Sequence, residues 1–191
     1  MKRTVLIIFF LISALYSFSQ KLDSTALILI DIQDFYFPGG ATELAKPEMA
    51  VERAKMILNY FRKNDGLIVH VRHEFEPGGD IHKLVKPIEG EKVFSKKEVN
   101  CFLGTGLNEY LQDNGIKYVV LAGMQTHMCL EAGTRAAHDF GYKCTVIGDA
   151  CATRDLVYKN DTINAIDVHL ATLATLKSYA KVTDALELLN K

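Results

Sequence analysis

Three short and nearly unbroken apolar runs, residues 26–30 (ALILI), 67–71 (LIVHV) and 118–122 (YVVLA), constrain this chain more than any other feature. A run of this kind has no polar face to offer water, so each reads as a strand covered on both sides, which is the condition of a parallel sheet. Helical periods separate the runs. Residues 47–63 place Met49, Ala50, Ala54, Ile57, Leu58 and Phe61 on one stripe, with Pro47 at the start and Gly66 past the end. Further helices are predicted over 105–114, 129–140 and 162–178, and a further strand over 143–147. A last short strand over 180–182 precedes a closing helix. Strand and helix alternating through short connections predict one α/β domain, a three-layer α/β/α sandwich with a mainly parallel sheet.

The first twenty residues are of another kind. Lys2 and Arg3 precede an apolar stretch from Val5 to Tyr16, and the small residues Ser17 and Ser19 follow. The stretch falls short of the roughly twenty residues that span a bilayer and resembles a secretory signal peptide. The expectation is a signal peptide over 1–19, a folded domain over 20–191, no stable membrane insertion after cleavage, and an exported, periplasmic or secreted protein. Composition excludes two other classes. With 22 basic against 23 acidic side chains and a net charge of −1, there is no basic field to hold nucleic acid. Four cysteines are too few for a disulfide framework. Cys144 and Cys151 stand too far apart along an extended strand to bridge, and Cys101 is left over, so reduced thiols are expected.

In a parallel sheet, ligands gather at the carboxyl ends of the strands. Those ends carry Asp31, the segment 70–74 (HVRHE) and the segment 123–129 (GMQTHMC). Cys129 stands at the start of a predicted helix with Thr126 as its N-cap, where orphan N–H groups and the helix dipole favour a thiolate. Such a thiolate is a nucleophile with an oxyanion hole attached. The competing reading is a small buried hydrophobe.

Asp31 after ALILI, Lys96 ahead of Phe102-Leu103-Gly104-Thr105, residues 123–142 (GMQTHMCLEAGTRAAHDFGY) and Asp149-Ala150-Cys151 together resemble the isochorismatase-like cysteine hydrolases, the nicotinamidase-related amidohydrolases. The resemblance runs over about 26–189. It implies an isochorismatase-like, Rossmann-like fold and a triad of Asp31, Lys96 and Cys129 that cleaves an amide-like C–N bond of a small molecule through a thioester. Lys96 is chosen over Lys97 because the family's lysine stands six positions before the residue matching Phe102. The resemblance also implies a cis Met124–Gln125 bond, an oxyanion hole from the N–H groups of Gln125 and Cys129, and a homo-oligomer. Phe35, Phe37, Leu103 and His127 are the expected substrate-binding walls. Gly133 stands where the family often has Thr, at a helix-propensity cost of about 1 kcal/mol.

His70 and His73, with His82 or Glu74, would supply enough ligands for a metal. The related metal-dependent enzymes carry an Asp-x-His motif before the first long helix, and residues 38–48 contain no His. No metal and no cofactor are therefore expected. His138 and His169 read as packed helix side chains. Two other functions stay open. One is the vinyl-ether hydrolysis of true isochorismatases, which typically lack the nucleophilic Cys. The other is a binding or thiol-sensor module on the same fold.

Overall fold

The computed structural model describes residues 22–190, so the expected signal segment lies outside the described residues. Six strands form one parallel sheet: β1 (Thr25–Ile30), β2 (Leu67–His73), β3 (Lys92–Lys96), β4 (Tyr118–Met124), β5 (Lys143–Ala152) and β8 (Ala180–Thr183). Their order across the sheet is β3-β2-β1-β4-β5-β8. Five helices cover it: α1 (Pro47–Lys63), α2 (Leu107–Asp113), α3 (Glu131–Asp139), α4 (Ala165–Leu176) and α5 (Ala185–Leu189). Between β5 and α4 a small antiparallel hairpin, β6 (Leu156–Tyr158) and β7 (Asp161–Ile163), forms its own two-stranded sheet.

The central strand shows why continuous apolar runs are needed. Successive side chains of a strand point to opposite faces. Leu27 and Leu29 of β1 enter the core shared with Ala54, Ile57, Leu58 and Phe61 of α1. Ala26, Ile28 and Ile30 enter the opposite core with Leu107 and Leu111 of α2, Ala137 of α3 and Leu176 of α4. All six residues of β1 are buried, so truncating a leucine such as Leu27 to Ala should cost about 2–5 kcal/mol. This is the three-layer α/β/α sandwich that the alternation predicts.

Register delivers the chemistry to one edge. Ile30 pairs with Val71 on one side and Gly123 on the other, and His73 pairs with Lys96. Asp31, His73, Lys96 and Gln125 thus emerge together at the carboxyl ends of four neighbouring strands. Gly123 has φ +139°, and a Cβ there would lie 2.0 Å from the Ile30 carbonyl oxygen, so only glycine lets β4 approach β1 this closely.

Three elements differ from expectation. β5 runs on to Ala152 through Gly148-Asp149-Ala150, with a register shift against β4 between Leu121 and Gly123. The predicted helix 162–178 begins only at Ala165, where the Asp155 carboxylate accepts the Ala165 N–H at 2.7 Å; the residues before it belong to the hairpin. The third, β3, is an edge strand whose residues 92, 93 and 95 are exposed, and it carried no apolar signal.

Candidate active site

Asp31 closes β1 in the left-handed region, at φ +51°, a conformation aspartate tolerates better than most residues and one that concentrates at functional sites. Its N–H is held by the Val71 carbonyl at 2.9 Å. The loop after it is braced by Gln33, which is completely buried. Gln33 donates to the carbonyls of His73 at 2.9 Å and Gly79 at 2.6 Å and accepts the His73 N–H at 2.7 Å. The ends of β1 and β2 are therefore tied by a side chain that does no chemistry itself.

Lys96, the last residue of β3, is 2% exposed. Its Nζ lies 2.7 Å from Asp31 Oδ2 as a charge contact, and it donates to Cys129 Sγ at 3.3 Å and to the Glu98 carbonyl at 3.0 Å. It also meets His73 Nδ1 at 3.2 Å, and since an ammonium only donates, that nitrogen must accept. Apart from the charge contact with Lys96, neither Asp31 oxygen has an aligned hydrogen-bond partner among the described residues. Lys97, by contrast, is 79% exposed and faces Glu74 at 3.7 Å on the surface.

Cys129 lies in the π-helical turn Thr126–Leu130 that follows β4 and leads into α3. The Met124–Gln125 bond is cis, as the resemblance implies. The predicted cap is not formed. Gln125 occupies the cap position without a side-chain cap bond, and Thr126 Oγ1 instead pairs with His169 Nδ1 of α4 at 2.9 Å. The expected low-pKa thiolate is also corrected. Burial, then the charge of Asp31, push the Cys129 thiol up to about 12, against the lowering effect of Lys96. Burial likewise raises Asp31, although Lys96 and Cys129 pull it down. For Lys96, burial is outweighed by Asp31 and Cys129, and the ammonium is stabilised. Burial thus pushes both the thiol and the Asp31 carboxyl toward their neutral forms, and the Lys96 ammonium opposes the shift at each.

The expected walls divide. Phe35 packs against Tyr36 and Phe75, and Phe37 stacks on His82 at 4.0 Å; both belong to the core under α1. Leu103 is 61% exposed in the turn between β3 and α2. His127 is half-buried, with Nδ1 2.5 Å from Thr153 Oγ1. The residue that reaches the site from the 35–37 segment is Tyr36. Its buried hydroxyl accepts from Gln125 Nε2 at 3.5 Å, and burial, then the charges of Cys129 and Asp31, push it up. A three-residue 3₁₀ turn over Asp34–Tyr36 decides which ring faces inward, and no periodicity signals that. Arg154, which donates from Nε to Gln125 Oε1 at 3.3 Å, is the other polar neighbour not anticipated, and His73, considered as a metal ligand, instead accepts from Lys96.

The histidines considered for metal are spread apart. His70 pairs with Glu91 at 2.8 Å, His73 meets Lys96, and His82 stacks on Phe37. Among the described residues no three His, Cys, Asp or Glu side chains converge as a metal site. All four cysteines are buried as free thiols. No helix of the described residues is long and apolar enough to cross a membrane.

Comparison with known proteins agrees with this fold. The Isochorismatase domain family matches residues 25–178. An isochorismatase family protein of Bacillus subtilis, YddQ, is 41% identical over 171 residues, covering 83% of this chain and 95% of its own. The maleamate amidohydrolase of Pseudomonas putida is 29% identical over 154 residues, covering 68% of this chain and 72% of its own. Among solved structures, an isochorismatase hydrolase from Oleispira antarctica superimposes with a TM-score of 0.85 at 42% identity, covering 88% of this chain and 97% of its own. The chain belongs to the isochorismatase family and is a hydrolase of that family.

Proposed function

We propose that this hydrolase cleaves an amide-like C–N bond of a small molecule through a thioester on Cys129. The observation that carries the reading is the buried contact of Lys96 Nζ with both Asp31 Oδ2, at 2.7 Å, and Cys129 Sγ, at 3.3 Å. A buried ammonium with these two partners keeps a carboxylate charged and ready at the thiol, the relation a nucleophile and its base require. The sulfur attacks the carbonyl carbon while its proton passes to Asp31. The N–H groups of Gln125 and Cys129 receive the developing oxyanion. Asp31 then gives that proton to the leaving nitrogen as the C–N bond breaks and the thioester forms. Water attacks the thioester with Asp31 taking its proton. The acid leaves, and the proton returns to sulfur. Lys96 stays protonated throughout and fixes Asp31 and Cys129 in register. A relative named as an amidohydrolase supports the choice of bond.

The test is turnover of a panel of small amides by the purified domain and by Cys129→Ala. A loss of about 10³-fold or more in kcat is expected. Wild-type-like turnover in a folded Cys129→Ala would exclude the thioester.

A further inference from the structure

The turn that carries Cys129 is held out of the ordinary helical register. In an α-helix the Gln125 carbonyl would accept the N–H four residues on, which is that of Cys129. Here it accepts instead the N–H groups of Met128, at 3.0 Å, and Leu130, at 3.3 Å. The π-helical turn Thr126–Leu130 thus passes over the Cys129 N–H, the group that the proposed mechanism turns toward the oxyanion. Rewinding the turn to α would return that N–H to the Gln125 carbonyl and take a donor from the oxyanion hole. Such π-turns are rare and gather at functional sites. A register of this kind needs contacts from outside the turn to hold it.

Those contacts come from one stretch of chain. Three consecutive side chains at the start of the turn each meet a residue of the segment 153–169. Gln125 Oε1 accepts from Arg154 Nε at 3.3 Å, Thr126 Oγ1 pairs with His169 Nδ1 at 2.9 Å, and His127 Nδ1 lies 2.5 Å from Thr153 Oγ1. The middle contact differs from the others in kind. A threonine at a helix start has backbone groups of its own turn within reach of its hydroxyl. Thr126, which is wholly buried, turns its hydroxyl across to α4 instead, to a residue 43 positions on. A hydroxyl so buried costs free energy unless it is bonded, so His169 fixes where Thr126 sits, and Thr126 begins the turn. Burial holds His169 below its ordinary value, so the ring is neutral near pH 7 and the contact needs no charge.

We propose that His169 is a positioning residue of the hydrolase: its hydrogen bond with Thr126 keeps the nucleophile turn in π register and so keeps the Cys129 N–H in the oxyanion hole. The proposal rests on the reading of Cys129 as a nucleophile that forms a thioester, and it adds what holds the N–H of that nucleophile in place. His169 acts through Thr126 and not on the reacting atoms.

Two reactions at Cys129 separate this role from a general loosening of the fold. Acylation by p-nitrophenyl acetate passes the acetyl group to sulfur through a tetrahedral oxyanion and releases p-nitrophenolate. Alkylation by iodoacetamide displaces iodide and develops no oxyanion. In His169→Ala and His169→Gln the acylation rate should fall about 10- to 100-fold, while alkylation changes less than about threefold. His169→Asn should recover most of the acylation rate, because its amide stands as far from the backbone as Nδ1 does and the glutamine amide stands one bond further out. Thr126→Val should reproduce the loss, and adding it to His169→Ala should cost little more, as expected of two partners in one bond. Equal acylation in wild type and His169→Ala, acylation and alkylation falling together, or no recovery in His169→Asn would overturn the positioning role. Those outcomes leave the thioester reading standing. That reading falls, and this proposal with it, if the wild type carries no acyl group on Cys129.

Discussion

Lys96 Nζ lies 2.7 Å from Asp31 Oδ2 with both side chains wholly removed from solvent. Two opposite charges buried in contact support each other, and removing either leaves the other uncompensated, at about 3–5 kcal/mol. The pair is thus a structural unit as well as the proposed proton relay. Its variants must be judged by folding and by rate together.

Asp31→Asn and Lys96→Ala should each lower kcat by about 10³-fold or more, while Lys97→Ala should change it less than twofold. Thermal unfolding run alongside separates lost chemistry from lost fold. A dead Lys97→Ala with an active Lys96→Ala would mean that the exposed lysine, not the buried one, serves the site.

The thiol pushed up to about 12 gives a pH signature. A raised thiol pKa keeps the neutral form dominant across the physiological range, so alkylation of Cys129 by iodoacetamide should keep rising from pH 7 to pH 10. A rate that levels off below pH 7 would mean a resting thiolate.

Gly133 illustrates what a sequence can and cannot disclose. Read along the helix, it is a defect that alanine would mend by about 1 kcal/mol. In space, a Cβ there would lie 2.9 Å from Cys101 Sγ and 3.1 Å from Ile30 Cδ1, both of them completely buried. Gly133→Ala should therefore destabilise the fold by about 1–3 kcal/mol, because overpacking outweighs propensity. Chemical denaturation would decide it, and a more stable Gly133→Ala would show that the core gives way there.

The same limit of local reading explains the other differences. The apolar strands β1, β2 and β4 and helix α1 were legible because burial on both faces, or on one stripe, leaves a repeating mark in the sequence. Asp31 and the 123–129 segment were legible as strand ends. β3 was not, since an exposed edge strand needs no apolar run. Ile163 fits the stripe of Ile166 and Leu170, which drew the predicted helix back over the hairpin. Gln33, His73, Tyr36 and Arg154 reach the site only through contacts between residues 23 to 89 positions apart. No spacing rule anticipates such contacts.

In the middle of β2, His70 is 1% exposed and pairs with Glu91, which is also bound by Arg62 at 2.7 and 2.9 Å and by the Ile88 N–H at 3.0 Å. Although burial opposes it, the Arg62, Ile88 and His70 contacts hold Glu91 down, from 4.5 to about 2. A depressed carboxyl stabilises the fold above its unfolded value and loses that contribution as pH falls through the folded one. Glu91 should supply about 3 kcal/mol at neutral pH, declining between pH 4.5 and pH 2. Burial also holds His70 below its ordinary value, so its protonation works in the same direction as the medium is acidified. Glu91→Gln should flatten the acid side of the stability curve measured by urea unfolding. An unchanged slope between pH 2 and pH 5 would place the linkage elsewhere.

The most direct test of the thioester is rapid-quench mass spectrometry during turnover of a small amide. The wild-type chain should show a transient added mass equal to the acyl group, localised to the peptide that contains Cys129, and Cys129→Ala should show neither the adduct nor turnover. Steady hydrolysis by Cys129→Ala, or wild-type turnover with the adduct on another residue, would contradict it.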